Sequence, residues 1–185
     1  MIARTLFIES KKLRVFDMDD TLIKTDSYIY VNHESGNISK LTPGQYAVYK
    51  PRKGDEFDFR EFDTIKNPTE IKAITRILKD MVRARGNRGV YILTARSKAK
   101  PISIYLKDIG IRDVEVVALG SADPQHKADW IEEKIKKDGY DDVFFIDDSI
   151  ENVKAAKRRL SKLGVKHRVS RMKHSWSNAE CKRSF

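Results

Sequence analysis

The chain has 185 residues, 40% of them hydrophobic and 35% charged, with a formal net charge of +10. That length fits one domain with one sizeable core and a small insertion, and no apolar run approaches the ~18 residues that a membrane-spanning helix needs. The single cysteine, Cys181, excludes an internal disulfide framework and points to a reducing compartment. With no apolar stretch and small-residue cleavage site at the start, no signal peptide and a cytoplasmic location are expected.

In chain order, residues 13–16 read as a buried strand. Residues 24–66 then break the rhythm of the chain. Within them, residues 28–31 suit a strand, Glu34-Ser35-Gly36-Asn37 a hairpin turn, and Thr42-Pro43-Gly44-Gln45 the start of a short helix. This insertion leaves the end of the first strand and returns before the next helix, so a small, partly β flap or cap overhanging that strand end is expected. Asn67-Pro68-Thr69-Glu70 reads as a helix start, with Asn67 as cap, Pro68 at the first helical position and Glu70 closing a capping box. Ile71, Ile74, Ile77, Leu78, Met81 and Val82 supply one apolar face at helical spacing.

Residues 90–93 form the second predicted strand, 101–109 a helix stopped by Gly110, and 114–119 the third strand. Asp123-Pro124 caps a helix that carries Ala128, Ile131 and Ile135 inward and ends at Gly139. Residues 143–146 are the fourth strand, 150–163 the last helix, and 165–169 a fifth strand. Strands alternating with helices predict an α/β protein, a Rossmann-like parallel sheet with helices on both faces. The predicted organisation is one core domain over residues 1–174, holding the insertion at 24–66, and a polar tail at 175–185.

The strongest chemical signal lies at the end of the first strand, where Asp17, Asp19 and Asp20 fall within four residues and Thr21 follows. Such crowding costs free energy unless a cation or hydrogen bonds offset the repulsion. A second pair, Asp147-Asp148, follows the fourth strand. In an open parallel sheet, ligands bind beyond the carboxyl ends of the strands, where the strand order reverses. If the first and fourth strands are neighbours there, Asp17, Asp19, Asp147 and Asp148 converge, and an all-oxygen cluster of that kind suits Mg²⁺. Thr94-Ala95-Arg96 follows the second strand, where a hydroxyl and loop amides can hold phosphate oxygens. Lys127 lies near the start of the helix after the third strand, within reach of the same sheet edge.

This set resembles the haloacid dehalogenase superfamily over residues 13–169. Asp17, Asp19 and Thr21 match its first motif, Thr94 its second, Lys127 its third, with Lys134 and Lys136 as weaker substitutes, and Asp147 with Asp148 its fourth. The resemblance implies a phosphatase in which Asp17 attacks phosphorus and forms an aspartyl-phosphate, and Asp19 serves as acid and then base. It implies Mg²⁺ held by the Asp17 carboxylate, the Asp19 carbonyl and Asp147, with Asp148 direct or through water. Lys127 and Thr94 would neutralise and hold the phosphoryl oxygens. Members that transfer phosphate slowly carry Thr where this chain has Asp19, and Asn152 stands where some members place a further acid.

Arg96 offers a bidentate partner for a phosphate, and Thr94-Ala95-Arg96 is similar to polynucleotide phosphatases of the phage type as well as to small nucleotidases and acid phosphatases. Two enzymatic expectations follow. One is removal of a terminal 3′-phosphate from DNA or RNA, in the host cytoplasm if the chain is phage-encoded. The other is hydrolysis of nucleotides or other small phosphoesters. A third expectation is a non-catalytic, basic nucleic-acid-binding or assembly protein that keeps the fold. Between Glu151 and His174 lie nine Lys or Arg residues against one acidic residue, a surface suited either to tracking phosphates or to solvation. Tyr28, Tyr30, Tyr46 and Tyr49 of the insertion read as packing residues before they read as base-stacking ones. No Gly-x-x-x-x-Gly-Lys-Ser/Thr loop is present, which excludes a kinase half of that type, and the residues point to no membrane and no protein partner.

Overall fold

The computed structural model describes residues 10–46 and 49–173; the predicted tail at 175–185, with Cys181, lies outside the described residues. The chain opens with β1 (Lys12–Phe16), β2 (Ile23–Lys24), β3 (Ile29–Asn32), β4 (Ile38–Leu41), α1 (Pro43–Tyr46), β5 (Glu56–Asp58), a 3-10 turn at Arg60–Asp63 and β6 (Thr69–Glu70). It continues with α2 (Lys72–Arg85), β7 (Val90–Thr94), α3 (Ala99–Asp108), β8 (Glu115–Ala118), α4 (Pro124–Asp138), β9 (Asp142–Asp147), α5 (Ile150–Leu163) and β10 (Lys166–Arg171).

Five of these strands form one parallel sheet in the order β10-β9-β1-β7-β8. Its central strands are apolar on both faces, as a sheet covered by helices requires. Leu13 and Val15 of β1 pack with Val143 and Phe145 of β9 and with Ile131, Ile135, Ala156 and Leu160 of α4 and α5. Phe16, Ile92, Phe144 and Ile146 pack instead with Ile74 and Leu78 of α2 and with Ile102 and Leu106 of α3. Each such burial removes apolar surface worth roughly 1.5–3 kcal/mol. The chain fills the β7 and β8 side first and then crosses to β9. The order therefore reverses between β1 and β9, which opens a crevice at their carboxyl ends. Among the described residues, no helix is long and apolar enough to cross a membrane.

The insertion leaves through β2 and returns through β6, which pair antiparallel as a two-stranded stalk. Between them β4, β3 and β5 form a small antiparallel sheet. His33 pins this sheet, with its ring nitrogens 2.7 Å from Asp55 Oδ1 and 2.7 Å from Ser39 Oγ. Tyr46, Phe57, Phe59 and Phe62 make a chain of ring contacts across it. The tyrosines are engaged within the insertion: the Tyr30 hydroxyl donates to Glu61, that of Tyr49 to Asp55, and the Lys40 ammonium lies 3.9 Å from the Tyr28 ring centre.

The helix start expected at 67–70 is corrected. Thr69 and Glu70 are extended in β6, and α2 begins at Lys72 with no side-chain cap at Ile71. Pairing with β2, together with the bond from Ile71 N to Leu22 O at 2.8 Å, outweighs the local capping signal. Asn67 takes a φ of +42, and Glu70 accepts from Lys79 at 3.3 Å instead of closing a box. The helix expected from Pro101 starts two residues earlier, because Pro is tolerated in a first turn. Asp123 behaves as expected: its side chain accepts from Gln125 N at 2.9 Å, and Gly139 closes α4 at a φ of +70.

Gly89 lets the connection from α2 pass against β1. Its φ is +70, its carbonyl accepts from Arg14 N at 2.6 Å, and a Cβ there would stand 2.3 Å from the Lys12 carbonyl oxygen. Gly86 in the same connection has a φ of +63 and open space around it. Gly86→Ala is expected to cost about 1–3 kcal/mol for conformation alone, because its φ of +63 with a ψ of −155 is a region essentially kept to glycine. Gly89→Ala should cost about 1–3 kcal/mol more for the backbone clash. Urea unfolding measures both, and equal losses would contradict the close approach.

Candidate active site

The chain reverses directly after β1. Leu22 N and Ile23 N donate to the Met18 carbonyl at 2.9 and 3.2 Å, and Asp20 N donates to the Ile23 carbonyl at 2.7 Å. Asp20 takes a φ of +55, which a short polar side chain tolerates better than a bulky one. Met18 and Leu22 anchor the turn in the core, and Thr21 is fully buried, its hydroxyl without a hydrogen-bond partner among the described residues. Asp17 N donates to the Ile146 carbonyl at 2.9 Å, so Asp17 continues the β1–β9 ladder. Asp17 and Asp147 thus stand side by side at the crevice.

Lys127, in the first turn of α4, reaches both. Its Nζ donates to Asp17 Oδ1 at 2.6 Å and to Asp147 Oδ2 at 2.7 Å. All three groups are buried: Asp17 is 5% exposed, Lys127 3% and Asp147 0%. Asp147 is held from its other side as well. Ser149 N donates to its Oδ1 at 2.9 Å, and Asn152 Nδ2 lies 3.0 Å from both carboxylate oxygens. Lys127 holds Asp17 through Oδ1, and the Asp17 side chain keeps 7% of its surface exposed. Asp148 is half-buried, and its carbonyl accepts from Arg171 Nε at 3.0 Å.

Asp19 faces a different partner. Arg96, 4% exposed, donates through Nε to Asp19 Oδ2 at 2.8 Å and through Nη2 to Asp19 Oδ1 at 2.7 Å. Thr94 ends β7 buried, and its Oγ1 accepts from Arg96 N at 3.2 Å; Ala95 is half-buried between them. The structure therefore groups Asp17, Lys127, Asp147 and Asp148 in one cluster and Asp19 with Arg96 in a second. Lys134 and Lys136 point elsewhere, to Asp138 and Glu132.

Ligand oxygens of Asp17, Asp147 and Asp148 lie within 4.8 Å of one another. Three carboxylates there face one ammonium. Burial, and then the charges of Asp147 and Asp148 against the opposing Lys127, raises the Asp17 carboxyl well above the usual carboxylate range. Burial, and then Asp147 and Asp20, pushes Asp148 up to about 7. Burial opposes the charge on Lys127, but Asp147 and Asp17 more than offset it and hold the ammonium above its ordinary range. One divalent cation would bring the cluster to charge balance, and an all-oxygen donor set fits a hard cation.

No family model matches the chain, and no curated protein matches it. Sequence reasoning missed the ties that Asn152, Ser149 and Arg171 make to the acidic pair. The signal for two of them was present: Ser149 caps α5 and Asn152 sits in its first turn, two and five residues after Asp147. The Asp19–Arg96 pair joins positions 77 apart in the chain, and no spacing announces it.

A carboxyl raised in the folded state contributes stability that is complete below its unfolded value, near 4, and is lost as pH rises through the folded value. For Asp148 that window runs from about 4 to about 7, and Asp17 acts in the same direction. Chelator-treated protein is expected to melt at falling temperature across this window. Added Mg²⁺ should raise the melting temperature more at its upper end than at its lower end. A melting temperature at neutral pH indifferent to divalent cation would contradict the charge count.

Proposed function

We propose that this chain is a magnesium-dependent phosphomonoester hydrolase of the haloacid dehalogenase type, with Asp17 as nucleophile. The observation that carries the reading is the buried Asp17, fixed through Oδ1 by Lys127, beside Asp147 and Asp148 at the reversal of strand order. Asp17 Oδ2 attacks phosphorus, the bond from phosphorus to the leaving oxygen breaks, and Asp19 gives that oxygen a proton. Asp19, now a carboxylate, takes a proton from water. The water oxygen attacks phosphorus, the bond to Asp17 breaks, and phosphate leaves. Lys127 balances charge on the phosphoryl group, and Thr94 and the Ala95 backbone border it. Mg²⁺, when held by Asp17, Asp147 and Asp148 with the Asp19 carbonyl, supplies the remaining charge neutralisation.

A nucleic-acid end as substrate is favoured by a separate observation. Lys157, Arg158, Lys162, Arg168 and Lys173 are exposed and have no acidic partner among the described residues. Lys157, Arg158 and Lys162 lie on α5, Arg168 on β10 and Lys173 just beyond it; α5 and β10 pack together, and Arg171 at the end of β10 touches the Asp148 carbonyl. Exposed cations without acidic partners suit contact with a phosphate backbone. Arg159, by contrast, is tied to Asp129 and Glu132 of α4. Hydrolysis of small nucleotides is the competing substrate reading, and a basic binding protein without turnover the non-enzymatic one.

With Mg²⁺, phosphate release from a 3′-phosphorylated oligonucleotide is expected to exceed that from mononucleotides. Asp17→Asn should abolish both without loss of fold. Changing Lys157, Arg158 and Lys162 together to Ala should weaken turnover of the oligonucleotide at least ~10-fold, as loss of three phosphate contacts implies, and leave a small aryl phosphate untouched. Equal losses on both would remove the strand-binding role. Undiminished release by Asp17→Asn would remove the nucleophile.

A further inference from the structure

Arg96 is buried next to the cluster, yet it has nothing left to offer a phosphate. A guanidinium carries five N–H donors. Nε and one Nη2 proton go to the two Asp19 oxygens, and the other Nη2 proton faces Thr25 Oγ1 at 3.4 Å. The two Nη1 protons go to the Phe62 and Thr64 carbonyls at 3.0 and 2.6 Å. The guanidinium carbon also lies 4.8 Å from the Phe62 ring centre. Every donor is matched, and every acceptor belongs to the protein.

The acceptors fall in a pattern. Thr25 follows β2 on the outgoing leg of the insertion, and Phe62 and Thr64 stand on its returning leg. One side chain therefore holds both legs and Asp19 at once. The other bonds between this loop and the insertion are exposed: Lys98 to Asp63 at 2.6 Å and Ser97 to Asp63 at 3.3 Å. Exposed pairs of this kind hold little. A buried fork onto a carboxylate fixes its plane as well as its place. The Asp19 side chain keeps 21% of its surface exposed, and two of its four lone-pair sites remain for proton transfer.

We propose that Arg96 is a positioning residue that sets the orientation of the Asp19 carboxylate by tying it to both legs of the insertion, and that it binds no substrate phosphate. The role of Asp19 rests on the phosphatase reading; the tie does not. A substrate that lifts the insertion would turn Asp19 out of register, so the seating of the insertion and the proton transfer are one event.

Arg96→Lys keeps the charge and loses the fork. For an alkyl phosphate, whose leaving oxygen needs a proton, kcat/KM is expected to fall about 100-fold, the scale of a general acid. For p-nitrophenyl phosphate, whose leaving group departs as a stable anion, the fall in kcat/KM should stay under about 5-fold with KM not raised. Amide hydrogen exchange over residues 60–66 should quicken in Arg96→Lys and in Asp19→Asn, the second variant guarding against a folding defect in the first. Equal losses on both esters with a raised KM would make Arg96 a phosphate ligand and overturn the proposal. Unchanged exchange in both variants would overturn the tie. If the wild-type protein hydrolyses neither ester, the phosphatase reading falls, and the exchange measurement still decides the tie alone.

Discussion

The carboxyl edge of the sheet depends on one ammonium placed between two buried carboxylates. Lys127 reaches Asp17 and Asp147 at 2.6 and 2.7 Å in a region from which water is nearly excluded. Taking these ions out of water costs several kcal/mol each, and close contact with well-aimed hydrogen bonds offsets that only in part. Asn152 and the Ser149 amide supply such bonds to Asp147, and among the described residues Lys127 supplies the side-chain bond to Asp17. An apolar trio in the same space would stabilise the fold as well or better. The arrangement is therefore a cost that the two apolar layers of the sheet carry.

The rest of the edge is arranged around that cost. The reversal of strand order between β1 and β9 puts the two aspartates in neighbouring strands, and the tight turn after β1 keeps Asp19 at the same edge. Lys127 enters from a helix whose start is fixed by the Asp123 cap, so local structure sets its place. Asp19 is governed separately, through Arg96, by the insertion. The edge thus holds a charge cluster set by the core and a separate carboxylate, Asp19, tied to the insertion through Arg96.

Much of this was readable in the residues, for physical reasons that differ by element. Strands such as β7, buried at every position, and helices with a cap and a stop, such as α4, carry their own signals. The convergence of Asp17 with Asp147 followed from the general rule for open parallel sheets once β1 and β9 proved to be neighbours. The start of α2 was misread because Thr69 and Glu70 are pulled into the stalk by β2, whose Lys24 and Ile23 pair with them from far back in the chain. Arg96 was readable as a bidentate residue but not as a partner of Asp19, since that pairing needs the insertion folded back over the loop after β7. Local chemistry was legible, and long-range polar pairing was not.

The central claim is that Asp17 becomes covalently phosphorylated. Acid quenching during turnover of a phosphate monoester, followed by mass analysis of the peptide that contains Asp17, tests it directly. The account predicts an added phosphoryl group on Asp17 that hydroxylamine removes and that is absent in Asp17→Asn. Steady turnover with no phosphoryl group on that peptide, or with one on another residue, would contradict it.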